Sequence, residues 1–289
     1  MSTSRSDRWS ALNSPEAVQA AAERLQQLGD TASEHRARQR WLTLLSPRAG
    51  ECILDVGAGA GQMTIAIAQR VHSQGSVHAL DLSPGLLQHA YRAAWQAGVQ
   101  DCVVTEAGDA RAMPYRDCGF DAAICRWVLL HLTDPERVVT EMRRVVRPGG
   151  RIVSVEADWE TLAVYPGDPE VTRRVVHANV DRQVDGRVGR RLVTLLRSAG
   201  LQRVSAVPIV ALDLSGDWLP FLRSRVDVAA EAGLPAHTLS AWWRAIEAAA
   251  SAGGYLFSFT QYGVIGTVPS LSARESGASP DPADDPPSC

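Results

Sequence analysis

The 289 residues carry 29 basic and 32 acidic side chains, a formal charge of −3, 45% apolar residues and 21% charged ones. That length exceeds a peptide hormone or a disulfide knot and suits one large core, and the composition is that of an ordinary soluble globular chain. Without a basic excess, nucleic-acid binding is disfavoured. No apolar run approaches the ~20 residues needed to cross a bilayer. The start, Met1 to Trp9, has no apolar signal region, so a cytoplasmic location is expected, with neither secretion nor a membrane anchor.

Five cysteines, at 52, 102, 118, 125 and 289, form no C-x-x-C pair and fit neither a disulfide framework nor a zinc knuckle, so no metal site is expected. All 29 cations are arginine. The absence of lysine excludes Schiff-base chemistry and a Walker-type nucleotide site.

Pro15 to Leu28 and Ser33 to Leu45 have helical periodicity and form an N-terminal helical cap over residues 1–45. From 51 to 156 short apolar runs alternate with amphipathic stretches, the pattern of βα units around a parallel sheet. Glu51 to Val56 predicts a strand, Gln62 to Val71 a helix, and Ser76 to Leu80 a second strand. Ser83-Pro84 caps a helix that ends near Ala97 and Gly98. Cys102 to Glu106 and Phe120 to Cys125 are the third and fourth strands. Asp134-Pro135 opens a helix that stops at Arg147-Pro148-Gly149-Gly150, and Arg151 to Glu156 is the fifth strand. The stretch 157–200 reads as mostly helical, Val204 to Leu212 as a strand, 217–252 as two helices broken at Gly233-Leu234-Pro235, and Tyr255 to Val268 as a long strand. From 269 the chain is rich in Pro, Ser, Asp and Ala, a composition that cannot bury a core, and a disordered tail is expected over 269–289.

The chemistry sits at the strand ends. Ile53-Leu54-Asp55-Val56-Gly57-Ala58-Gly59-Ala60-Gly61 lies between a strand and a helix, where the backbone can approach a ligand and helix N–H groups point at it. A dinucleotide site would read G-x-G-x-x-G and want glycine where Gln62 stands. Asp81 closes strand two and can accept both hydroxyls of a ribose. Gly108-Asp109-Ala110 follows strand three, where an acid can accept from an exocyclic amine. Arg126-Trp127 leaves strand four, and the Arg147-Pro148-Gly149-Gly150 turn leads into strand five. The carboxyl ends of consecutive strands face one crevice, the place where open α/β sheets bind ligands.

On these residues the stretch 50–156 resembles the core of class I S-adenosylmethionine-dependent methyltransferases, in the small-molecule branch related to quinone-pathway and natural-product enzymes. The resemblance extends over roughly 35–268. It implies an α/β fold: a doubly wound, Rossmann-like sheet of about seven strands, the last antiparallel, in a domain over 46–268. Helical insertions at about 157–200 and 213–252 would form a lid. It implies S-adenosylmethionine as cofactor, with Asp55, Gly57, Gly59, Gly61 and Gln62 around the methionine part, Asp81 on the ribose and Leu82 against the adenine. Gly108, Asp109 and Ala110 would meet the adenine edge, and Arg126 would lie beside the methionine moiety through its backbone. Ala58 stands where many relatives carry cysteine.

The activated methyl group requires mainly in-line alignment, with a base to take a proton from the acceptor. His131 is the candidate base, and Glu156 and Asp158 after strand five also face the crevice. The acceptor pocket is expected from the N-terminal helices, 157–190 and 213–252, with Trp9, Trp41, Trp127, His131, Trp159 and Tyr165 as its wall, suited to a planar or apolar small molecule. The arginines between Glu34 and Trp41 offer a cation for the ligand carboxylate. An N-P-P-Y-like tetrapeptide, which would suit a flipped base, is replaced by Cys125-Arg126-Trp127-Val128. Two readings stay open: methyl transfer to O, N or C of a specialised metabolite, and a cofactor-binding protein of the same fold that catalyses a cyclisation or no chemistry. The apolar N-terminal helices also allow a homo-oligomer.

Overall fold

The computed structural model describes residues 12, 14–72 and 74–270, so Trp9 and the tail from 271 lie outside the described residues. Seven strands form one sheet: β1 (Cys52–Val56), β2 (Ser76–Asp81), β3 (Val103–Ala107), β4 (Phe120–Arg126), β5 (Val146–Tyr165), β6 (Gln202–Asp213) and β7 (Leu256–Thr267), in the order β3-β2-β1-β4-β5-β7-β6. The first five are parallel, and β7 runs antiparallel to both neighbours. The strand order reverses between β1 and β4, and in such sheets the crevice outside the carboxyl ends of the strands at that switch point is where ligands bind.

Helices α1 (Pro15–Gly29) and α2 (Ala32–Leu45) precede the sheet, and α3 (Gln62–Val71), α4 (Pro84–Gln96) and α5 (Pro135–Val145) connect its parallel strands. Each start follows from its sequence: Ser14 and Ser83 accept from the backbone N–H groups of Ala17 and Leu86, with proline in the first turn of both helices. Side chains alternate across the strands and give each face its own core. Ile53, Ile124, Val153 and Val155 pack against Trp41, Leu42 and Leu45 of α2 and Met63, Ile67 and Val71 of α3. Leu54, Ala123, Cys125 and Ile152 pack on the other face against Val138, Val139 and Met142 of α5. The four described cysteines are free.

The helical expectation for 157–200 holds only in part. β5 does not stop at Glu156 but continues to Tyr165, paired with β7 through Val164 opposite Phe257 and Tyr165 opposite Leu256. A bulge lies between Asp158 and Ala163, where the Thr161 hydroxyl donates to the Asp158 carbonyl at 2.7 Å and accepts from the Thr260 N–H at 2.8 Å. The remaining helices are α6 (Pro169–Arg182), α7 (Leu192–Ser198), α8 (Leu219–Glu231) and α9 (Ala236–Ala252). Among the described residues no helix is long and apolar enough to cross a membrane.

Candidate active site

The glycine turn after β1 is built from residues that need left-handed backbone: φ is +72° at Gly57, +55° at Gly59 and +90° at Gly61. A Cβ at Gly57 would stand 2.1 Å from Val128 Cγ2, so only hydrogen fits between the turn and the loop after β4. The Gly57 and Ala58 N–H groups donate to the Leu80 carbonyl at 2.8 and 3.0 Å, tying the turn to β2. Asp81 completes the tie: Oδ2 accepts from the Gly59 N–H at 2.8 Å and Oδ1 from the Ser83 N–H at 2.9 Å.

One cavity opens over this turn. Asp55, Gly57, Gly59, Gln62, Asp81, Leu82, Gly108, Asp109, Ala110 and Arg126 all line it. Gly61 does not. It stands where α3 and α4 cross, and a Cβ there would lie 2.9 Å from Ala90 Cα, so its role is helix packing rather than lining. Asp55 is buried and accepts from the Thr64 hydroxyl at 2.6 Å; burial pushes its carboxyl up to about 6 against that hydrogen bond. The Arg111 guanidinium forks onto Asp109 and holds that carboxyl below the usual range.

Beyond the turn, the end of β4 is fixed from two sides. Arg126 forms an ion pair with Glu34 of α2, and its guanidinium lies 4.3 Å over the Trp127 ring. Glu34 also accepts from Gln261 Nε2 on β7 at 3.2 Å. Trp127 adopts φ +58°, unusual for a bulky side chain, which turns it out of the strand and onto the cavity wall. Below it, Glu156 Oε1 accepts from the Val128 and Leu129 N–H groups at 2.9 and 2.7 Å. Glu156 is fully buried and does not line the cavity, so the direct catalytic part expected of it is replaced by a scaffolding one. Asp158, likewise buried, is held by Arg190 at 2.6 Å.

The far wall is aromatic. Trp127, Trp159 and Phe221 line it together with His131, and Trp218, Phe257 and Phe259 pack behind. Trp159 stacks on Phe221 at 5.0 Å and on Phe259 at 4.6 Å. Two of the other expected wall residues are elsewhere. Trp41 is buried under the sheet with its ring against Gly263, where a Cβ would come within 2.3 Å, so it anchors α2 to β7. Tyr165 is 67% exposed at the end of the β5–β7 ribbon. Leu25 and Leu28 of α1 roof the cavity, and Gln183 and Arg225 close it from the helical insertions.

Sequence reading missed Glu34 and Arg225. Thr31-x-x-Glu34 spells a capping box, and Thr31 does accept from the Glu34 N–H at 3.3 Å, but the Glu34 carboxylate goes to Arg126 instead of back to the cap. A lone arginine within α8 gives no signal of its own. Chemically, the cavity joins a carboxylate-edged, partly apolar cleft at the glycine turn to a flat aromatic chamber. That shape suits a two-part ligand with a hydroxylated, ring-bearing half beside Asp81, Leu82 and Asp109. Among the described residues no group of three or more His, Cys, Asp or Glu could hold a metal ion.

A family described as "Methyltransferase domain" matches residues 54–154. An uncharacterized 37.1 kDa protein in transposon TN4556 of Streptomyces fradiae is 32% identical over 246 residues, 83% of this chain and 69% of its own length. The demethylmenaquinone methyltransferase of Desulfitobacterium hafniense is 32% identical over 125 residues, 43% of this chain, and the match spans about half of that enzyme, 49%. Among solved structures, a Bacillus halodurans protein assigned as a methyltransferase superposes with TM-score 0.58 at 20% identity, covering 81% of this chain and 99% of its own. The cyclase SpnF superposes with TM-score 0.53 at 19% identity, covering 81% of each chain.

Proposed function

The chain belongs to the class I S-adenosylmethionine-dependent methyltransferases, and from that premise we propose that it transfers a methyl group to an O, N or C atom of a small-molecule acceptor, a specialised metabolite. The observation that carries this reading is the convergence of Asp55, Asp81 and Asp109 on one cavity with a left-handed glycine turn, opposite a wall of Trp127, Trp159 and Phe221.

The residues present fit the cofactor. Asp81 presents a carboxylate already oriented by the Gly59 and Ser83 N–H groups, the arrangement a ribose diol needs. Leu82 and Ala110, which line the cavity beside Asp109, would offer apolar surface to the adenine, and Asp55, Gly57, Gly59 and Gln62 would hold the methionine end. Bound there, S-adenosylmethionine would supply a sulfonium-activated methyl group for the acceptor and would leave as S-adenosylhomocysteine.

The protein's own part is placement and proton removal. Trp127, fixed by the Arg126–Glu34 pair and by the backbone bonds to Glu156, forms the wall between the two halves of the cavity and limits how the acceptor can approach. His131 on the same wall takes the proton that an O–H or N–H acceptor loses. Leu25 and Leu28 of α1 exclude water from above.

The test is calorimetric titration with S-adenosylmethionine, S-adenosylhomocysteine and NAD, followed by a screen of acceptors for release of S-adenosylhomocysteine. Tight binding of the first two with that product formed is the expected result. Conversion of an acceptor without S-adenosylhomocysteine would instead support the cyclisation reading, and binding of NAD alone would remove both.

A further inference from the structure

The β6–β7 end of the sheet has one covered face and one open face. Ala211, Phe257 and Phe259 are buried on the first, where Trp218 packs against both phenylalanine rings. Side chains alternate along a strand, so the residues between them point the other way. The ladder pairs Leu212–Ser258, Val210–Thr260 and Pro208–Tyr262 share this second face, and Tyr165 opposite Leu256 extends it onto β5. Among the described residues this part of the face is uncovered: Tyr165, Val210, Leu212 and Leu256 are 67%, 62%, 41% and 36% exposed. A contiguous apolar patch of this kind marks an interaction surface.

Addition of a further strand at β6, the end of the sheet, is opposed by Pro208. Pairing with β7 runs without a shift from Ser205 to Asp213, so the donor that proline lacks is missing from the free edge. The face, not the edge, is the surface to be covered. Its strands carry no charged residue from Ala206 to Leu212 or from Leu256 to Tyr262. At the β5 border Asp158, opposite Thr260, is paired with Arg190, which also pairs with Glu160. A strongly charged partner finds no counter-charge on such a face, whereas a second copy brings an equally uncharged one and meets no like-charge repulsion. The size agrees. At ~3.4 Å per residue and ~4.8 Å per strand, the run from Ala206 to Leu212 across three strands measures roughly 24 by 14 Å, or about 500 Å² with the relief of its side chains. Two such faces bury about 1,000 Å² together, the size at which specific interfaces begin. We propose that two copies of this chain form a twofold dimer by laying these faces together, as the two sheets of a sandwich do, with Tyr165 and Val210 as anchors.

The test is sedimentation equilibrium of the full chain over a wide range of concentration, with three variants. The parent is expected to sediment with the mass of two chains and to dissociate on dilution. Val210→Glu places a charge at the centre of the face, and Tyr165→Asp removes an aromatic anchor while adding one. Each is expected to raise the dimer dissociation constant by about 100-fold or more, since a charge buried without a partner is costly. Both positions are exposed in the single chain, so the far-ultraviolet circular dichroism of the parent is retained, and either variant serves should the other fail to fold. Trp95→Glu is the control: Trp95 is 67% exposed on α4, away from the ribbon, and its replacement leaves the dimer intact. A parent that stays monomeric overturns the proposal and assigns the face another occupant. A dimer that survives both Val210→Glu and Tyr165→Asp, or that Trp95→Glu dissociates equally well, overturns it by placing the interface elsewhere.

Discussion

Glu34 in the first turn of α2 and Arg126 at the end of β4 form an ion pair across 92 residues of chain, with side chains 3% and 19% exposed. Removing one partner of such a pair strands the other charge in a poorly solvated place. Glu34→Gln is expected to lower unfolding free energy by about 3 kcal/mol, the low end for a broken buried pair because glutamine keeps an acceptor. The Glu34→Gln, Arg126→Gln double variant should recover part of that loss. A urea-denaturation double-mutant cycle measures it, and a coupling below about 0.5 kcal/mol would show that the pair adds nothing beyond its separate residues.

Asp81 connects the cofactor cleft to the backbone that shapes it, through the N–H groups of Gly59 and Ser83. Asp81→Ala removes both the carboxylate proposed to hold the ribose and the clamp on the turn. Affinity for S-adenosylmethionine is expected to fall by ~2 kcal/mol or more, about 30-fold, through loss of charged hydrogen bonds. Calorimetry decides it, and an unchanged dissociation constant removes Asp81 from the site.

Gly57 tests the packing between the two loops of the crevice. Alanine there meets two penalties: a left-handed backbone at φ +72° and a Cβ 2.1 Å from Val128 Cγ2. The first costs about 1–2 kcal/mol and the second about as much again. Gly57→Ala should therefore lower stability by about 3 kcal/mol, and adding Val128→Ala should return the steric part while leaving the backbone part. Thermal unfolding of the three variants reads this directly; full recovery in the double variant would mean that the backbone conformation carries no strain.

His131, on the cavity wall, is the proposed proton acceptor. His131→Ala is predicted to lower kcat about 100-fold, the lower range of general-base catalysis, with cofactor affinity unchanged. Steady-state kinetics with an O–H or N–H acceptor, alongside calorimetry, separates the two. A kcat within twofold of the parent assigns His131 to the wall alone.

What the sequence disclosed was what is local. The turn from Asp55 to Gly61, Asp81 and Asp109 each sit a few residues after an apolar strand signal, and βα periodicity alone places them at one edge. Residues 157–165 misled because Asp158 and Glu160 break the strand alternation, and the strand partner of that stretch lies about 100 residues on, with Thr161 bonded to Thr260. The tryptophans show the same limit. Trp41 and Trp159 are equally apolar, yet Gly263 receives one ring beneath the sheet and the bulge in β5 sends the other to the cavity. Glu34 was hidden differently: a plausible local role as a helix cap concealed its distant partner.

Glu156 gives the fold a pH dependence with a definite sign. Burial pushes its carboxyl up to about 8, against the pull of the Leu129 and Val128 N–H groups and the Arg126 charge. The folded protein thus keeps a proton that the unfolded chain releases near 4.5. The corresponding stability is fully present below that pH and is lost as pH rises towards about 8. Asp55, raised to about 6, acts in the same direction over a narrower window. Glu156→Gln removes the larger contribution while its side-chain oxygen still accepts from the Val128 and Leu129 N–H groups. Its stability relative to the parent should climb with pH by up to ~1 kcal/mol per unit across that window, the Asp55 contribution cancelling between the two proteins. Urea denaturation of both at a series of pH values measures the difference, and a difference that stays flat across the window means that Glu156 is ionised in the folded protein.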